Sequence, residues 1–314
     1  MIGRLAALAP RLWLAYAFTV GAVVGSFLNV VIARVPRGES IVHPRSRCPR
    51  CLQPIAWFDN LPILSWIFLR ARCRRCALPI SVRYPIVEAL MGVLALAIAE
   101  RFGPTLTGLG YFLCTAALVS LAYIDLDTWL LPSEITLPLL GVGLLSPLWN
   151  QGLALPLAGL FPALRPLLVA FISSVGGALA GGLFLAAIAF IGERLGREWM
   201  GWGDVWLLAG IGAWLGLPTL LPVMMLASVQ GALVGLGLLA GGKALGARTE
   251  DAGGEPEASA AEAPGAAKEG DDEEWVPPPT AVPFGPFLVL AAIEQLLVGE
   301  RLWSAWMNLL ARIA

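Results

Sequence analysis

Long, nearly uncharged apolar stretches recur along this chain and constrain its fold more than any other feature. About eight can be counted, near residues 12–33, 85–100, 105–124, 135–149, 166–191, 205–221, 222–242 and 284–299. A bilayer core of about 30 Å is crossed by roughly 20 apolar residues in a helix. Only 14% of the 314 residues are charged while 58% are hydrophobic, whereas a water-soluble domain carries about 25% charge. The surplus apolar surface needs lipid as its solvent. The expected fold is an all-α polytopic membrane protein with about eight transmembrane helices.

The formal net charge of -1 hides a segregation. Residues 34–83 hold ten arginines against two acids, Glu39 and Asp59. Short basic loops next to spans stay on the cytoplasmic side, so this loop is expected to be cytoplasmic rather than a nucleic-acid patch. Arg4 and Arg11 precede a run too long for a secretory signal, with no small-residue cleavage site before a polar chain. A retained first span with its N-terminus outside is expected. Alternation then brings the ends of the third and fifth spans, and the start of the sixth, to the cytoplasmic face. Five segments follow: 1–33, a first span; 34–83, a cytoplasmic loop; 84–248, a transmembrane core; 249–280, a linker; and 281–314, a last span with an interfacial helix. The linker holds ten acids and a single lysine, Lys268, and is expected to be disordered. In the tail, Leu302, Trp303, Trp306, Leu309, Leu310 and Ile313 recur at helical spacing and suit a membrane interface. Gly21/Gly25, Gly177/Gly181, Gly231/Gly235 and Gly237/Gly241 have the small-xxx-small spacing that lets helices approach closely in lipid.

An ionised carboxylate at membrane depth costs at least ~3 kcal/mol, so one that persists faces a cavity or a partner. The third span ends in Ile124-Asp125-Leu126-Asp127, followed by Leu130-Leu131-Pro132; the sixth begins Gly201-Trp202-Gly203-Asp204. Both acidic ends fall on the cytoplasmic side. Two carboxyls that share one proton can hydrolyse a peptide bond, one drawing a proton from water and the other donating to the carbonyl oxygen. Asp204 is expected at or next to a helix N-cap, where free N–H groups favour its ionised form. Gly201 and Gly203 would let the backbone turn sharply and leave room for a substrate strand. Asp125 and Asp127 lie about 200° apart on a helix, so one of the two can face the partner; periodicity does not choose between them. Each aspartate could equally be a cap or a boundary residue.

Cys48-Pro-Arg-Cys51 and Cys73-Arg-Arg-Cys76 are separated by 21 residues. Each pair sets two sulfurs on one turn, and four thiolates close a tetrahedral zinc site. Metal binding would stabilise a loop with too little apolar content to fold by burial. Two disulfides or free thiols are the alternatives, and a cytoplasmic loop disfavours disulfides. Cys114 reads as a small apolar core residue, and His43, the single histidine, as a loop residue.

Taken together, Asp125 seven residues before Pro132 and the Gly201-Trp-Gly-Asp204 motif resemble the bacterial type IV prepilin peptidases. These are bifunctional leader peptidase/N-methyltransferases of the GxGD intramembrane aspartic protease class. Gly25-Ser26-Phe27-Leu28-Asn29, the paired cysteines, Tyr84-Pro85-Ile86-Val87-Glu88 and Pro283-Phe284-Gly285-Pro286-Phe287 fit the same pattern in order. The resemblance spans nearly the whole chain and implies Asp125 and Asp204 as the catalytic pair, with Asp127 non-catalytic. It implies type IV prepilins or type II secretion pseudopilins as substrates, and the bacterial inner membrane as location. For the half around residues 34–83 it implies N-methylation of the new N-terminus from S-adenosylmethionine. No methyl-donor site is legible, although Glu88 and Asp59 are candidates for contributing to one, and Glu294 within the last span could face a cavity or pair. Two positions depart from the pattern: Trp206 stands where the family usually has Lys, and Ser133 where it usually has Asp. The rival readings are a proton- or cation-coupled transporter, whose acids should lie at mid-span, and an inactive, zinc-organised membrane scaffold.

Overall fold

The structure is a computed structural model that describes residues 9–48, 50–196, 200–251 and 282–313. Among these residues there are helices and turns but no strands, only two isolated bridges. The described residues form nine α-helices: α1 (Pro10–Arg34), α2 (Leu64–Phe68), α3 (Arg83–Phe102), α4 (Leu106–Thr128), α5 (Ser133–Leu145), α6 (Pro166–Arg194), α7 (Trp202–Leu215), α8 (Leu220–Asp251) and α9 (Gly285–Ile313). Local chemistry sets several boundaries. Pro10 opens α1, where its missing N–H costs nothing. The Thr105 hydroxyl accepts from the Gly108 N–H at 3.0 Å and caps α4. Gly216, at φ 87°, ends α7 with a backbone that a side chain would disfavour.

A helix lies at each of the eight apolar stretches, but length and composition qualify four regions to cross a membrane: Pro10–Arg37, Leu106–Thr128, Pro166–Arg194 and Leu217–Leu238. The others are shorter or carry charge. α7 has 14 residues, Pro138 interrupts α5, and α3 carries Arg83, Glu88, Glu100 and Arg101. The outer faces of the long helices are strongly apolar, with Leu183, Leu221, Leu233 and Leu236 largely exposed. Such surfaces suit lipid, not water.

α7 sits at the centre. Nine of its 14 residues are buried, so it is apolar on all sides, as a helix enclosed by other helices must be. It packs against α6, α5 and α9, while α1 lies along α3. Close approach depends on glycine: a Cβ on Gly177 or Gly212 would strike the backbone of the other's helix, and one on Gly21 or Gly25 would strike α3. Gly235 and Gly237 instead face open space. Buried polar side chains fasten the end of this core away from Asp204. The Trp214 indole N–H donates to the Leu139 carbonyl at 2.8 Å, and the Ser174 hydroxyl to the Ala213 carbonyl at 2.9 Å. Glu294 is paired, its carboxylate accepting from the Gln230 amide at 2.6 Å.

Most of the expected acidic linker, residues 252–280, lies outside the described residues; residues 249–251 form the last turn of α8. The tail is helical to Ile313 as a continuation of α9.

Candidate active site

Asp125 occupies the last turn of α4. The helix stops four residues later because Trp129 adopts a left-handed conformation, its N–H donating to the Asp125 carbonyl at 2.9 Å. The Asp125 side chain is 5% exposed. Asp204 is in the first turn of α7, at the third helical position. The cap residue is Gly201, so Asp204, expected at or next to the cap, lies three positions past it. From there its carboxylate reaches back and accepts from the Gly201 N–H, the acidic half of a capping box. One oxygen, Oδ1, is buried with no hydrogen-bond partner. The two carboxylates are electrostatic neighbours, the charge on Asp204 acting on Asp125. Helices far apart in sequence therefore meet at their acidic ends.

Gly203 acts through space rather than through an unusual backbone. Neither Gly201 nor Gly203 has a positive φ, so no sharp turn requires them. Gly203 leaves room for Leu131, whose Cβ would lie 2.7 Å from a Cβ added there. Leu131 follows Asp125 by six residues, and this contact locks the end of α4 onto the start of α7.

The third component was present in the sequence without a role. The Pro283-Phe284-Gly285-Pro286-Phe287 motif begins α9, and the Gly285 N–H donates to Asp125. A side chain on Gly285 would collide with Asp125 Oδ2. A glycine between proline-marked turns at a helix start was the available signal, but nothing local said which acid it would meet.

Asp127 points elsewhere. It forms an ion pair with Arg83 at 2.8 Å; Arg83 also donates to the Tyr123 carbonyl at 3.4 Å and stacks over the Tyr123 ring at 4.9 Å. Periodicity could not choose between Asp125 and Asp127; packing does. Trp206 is 42% exposed, and Ser133 opens α5 beside Glu134.

The four cysteines of the loop converge. Their sulfurs lie within 4.8 Å of one another, and Cys48 and Cys76 are 3.9 Å apart. Zinc–sulfur bonds of about 2.3 Å at tetrahedral angles put sulfurs roughly 3.8 Å apart, so the cluster fits the metal. The loop is built twice over. Arg47-Cys-Pro-Arg-Cys-Leu-Gln-Pro54 and Arg72-Cys-Arg-Arg-Cys-Ala-Leu-Pro79 each close with a bridge from Arg to Pro. Each also turns through a left-handed residue, Leu52 or Ala77, whose N–H donates to the carbonyl of the first cysteine at 2.9 Å. The backbone N–H groups of Cys76 and Arg75 hold the Cys73 thiol down to about 6. Cys76, despite the Leu78 N–H, is pushed up to about 11 by desolvation and hydrogen bonds to the other sulfurs, so the sulfurs share their protons unevenly. All four cysteines are free of disulfides.

Glu88 and Asp59 each hold a partner within the loop. Glu88 is buried in α3, accepting from the Ile63 N–H at 2.7 Å and from Ser26 of α1. Asp59 grips Arg74 through two bonds of 2.6 and 2.7 Å, which hold its carboxyl below the usual range. Both staple the loop.

Comparison with known proteins agrees with this geometry. The Bacterial Peptidase A24 N-terminal domain matches residues 19–102, and the Type IV leader peptidase family matches residues 112–236. The prepilin leader peptidase/N-methyltransferase of Myxococcus xanthus (strain DK1622) is 43% identical over 323 aligned positions, covering 92% of this chain and 91% of that one. Proteins of the same name from Aeromonas hydrophila and Klebsiella pneumoniae are 40% and 39% identical, each over 73% of this chain and covering 82% and 96% of their own lengths. No solved structure matches. With the paired aspartates, the cysteine cluster and these relatives in agreement, the chain belongs to the type IV leader peptidase family.

Proposed function

We propose that this protein removes the leader peptides of type IV prepilins and type II secretion pseudopilins through the Asp125–Asp204 pair, and N-methylates the N-terminus that cleavage exposes. The observation that carries the reading is the convergence of two acidic helix ends beside the Gly285 N–H. Asp204 stands at the positive end of α7 and Asp125 at the negative end of α4. That polarity favours charge on Asp204 and the shared proton on Asp125. Asp204 then draws a proton from water as the water oxygen attacks the scissile carbonyl carbon, and Asp125 donates to the carbonyl oxygen. As the C–N bond of the resulting gem-diol breaks, Asp204 passes its proton to the departing amine and Asp125 takes one back from the diol. Gly285 orients Asp125 throughout, and no covalent intermediate forms.

All eight apolar helices span the bacterial inner membrane in this reading, with the pair and the loop at the cytoplasmic face. Cys48, Cys51, Cys73 and Cys76 would hold a structural zinc that folds the loop. S-adenosylmethionine would supply the methyl group; no residue here is assigned to hold it. The test is incubation of the purified protein with a prepilin and S-adenosylmethionine, with mass spectrometry of the product. Leader removal together with a gain of one methyl group is expected. Full cleavage by Asp125→Asn or Asp204→Asn protein would refute the pair.

A further inference from the structure

Between the two cysteine turns the loop carries an apolar face that none of the described residues covers. Trp57 is 77% exposed and Phe68 80% exposed, and Leu64, Ile67 and Phe68 share one side of α2. Single exposed apolar residues are ordinary, but a contiguous group marks a contact. Around it stand Arg70, Arg72 and Arg75, all exposed. The position of this face is fixed by two bonds. The Ile63 N–H, directly before α2, donates to Glu88, which lies five residues into α3, or about 7.5 Å along the helix. The Trp66 indole N–H donates to the Ile80 carbonyl at 3.2 Å, just before α3 begins. The short helix is thus held alongside the first turns of α3, not out in solvent beyond them.

We infer that α2 and the arginines after it form a membrane-surface dock, with Trp57, Ile67 and Phe68 in the interface and Arg70, Arg72 and Arg75 on anionic lipid headgroups. Tryptophan settles at the headgroup level, phenylalanine and leucine bury at the acyl boundary beneath it, and each arginine near an anionic surface adds attraction. The acidic segment of residues 249–280 complements the charge but contains one aromatic residue, Trp275, so it cannot match the apolar face. The dock rests on the membrane placement proposed above and on no catalytic step.

The test uses the full chain with its metal in nanodiscs of phosphatidylethanolamine, with or without phosphatidylglycerol, and a fluorescent non-natural amino acid replacing Phe68. Lipids bearing a shallow nitroxide should quench the probe more than aqueous iodide does, most strongly with phosphatidylglycerol. Arg70→Gln/Arg72→Gln/Arg75→Gln should shift the balance toward iodide, with the docked population falling about fivefold per arginine. Zinc content shows whether that variant has folded; if it has not, the two lipid compositions still decide with the wild-type arginines. Iodide quenching in every lipid overturns the dock. So does protection in lipid-free amphipol, which would mean coverage by this chain or a second copy. Protection that appears only on adding a prepilin would assign the face to substrate. None of these readouts involves cleavage, so a failed dock leaves the peptidase reading intact.

Discussion

The cysteine loop and the aspartate pair are built in opposite ways. Each cysteine turn closes within eight residues, through one bridge and one left-handed residue, and the same pattern occurs twice. The aspartates are brought together by α4, α7 and the start of α9, none adjacent in sequence, across contacts that need glycine. A site made of local turns can be closed by a metal ion alone; a site made at helix ends depends on ångström-level packing. The two should therefore fail independently.

The largest effect separates chemistry from structure. Asp125→Asn and Asp204→Asn should each lower leader cleavage by about 10³-fold, the scale of losing a positioned acid or base, while zinc content stays unchanged. Asp127→Asn should retain activity, because its amide oxygen can still accept from Arg83. Gly285→Ala comes next. Its methyl would displace the Asp125 carboxylate, and a shift near 1 Å costs about 10²-fold in rate. Normal cleavage by this variant would mean that α9 does not set the pair.

The converse experiment attacks the loop. Cys73→Ser or prolonged chelation should abolish stoichiometric zinc and make residues 34–83 sensitive to protease, since structural zinc contributes on the order of 10 kcal/mol to small sites. Helicity by circular dichroism should hardly change, because α4 to α9 make no use of the metal. Loss of the helical signal would show that the regions are coupled. The smallest effect lies at the junction between them. Arg83→Met breaks a half-exposed ion pair, worth up to about 1 kcal/mol, so cleavage should fall by about fivefold or less. A larger loss would mean that the loop's exit helix positions Asp125 through Asp127.

Much of this was legible in sequence, for identifiable reasons. The apolar stretches located every long helix, and CxxC spacing named the four sulfurs that converge. Four regions meet the length and composition of a span, whereas Gly216, Pro138 and the charges on α3 leave other apolar stretches as shorter or more charged helices, so the span count depends on how those sit in the bilayer. The backbone reason given for Gly203 was replaced by a spatial one, since its partner is Leu131 in the connection between α4 and α5. Gly21/Gly25 and Gly177 act as close contacts, whereas Gly235 and Gly237, with the same spacing, do not. Spacing specifies which residues share a face but not whether anything packs there.

What the sequence alone determined is a chain that needs lipid, with a four-sulfur cluster and two acidic helix ends. Those properties depend on residue type and short spacing, which act before any tertiary contact forms. What tertiary structure decided is which aspartate faces the partner, what donates to it, and where Asp127 goes. Those depend on helix rotation and depth, set by the summed packing of surfaces distant in the chain. No local pattern encodes that sum.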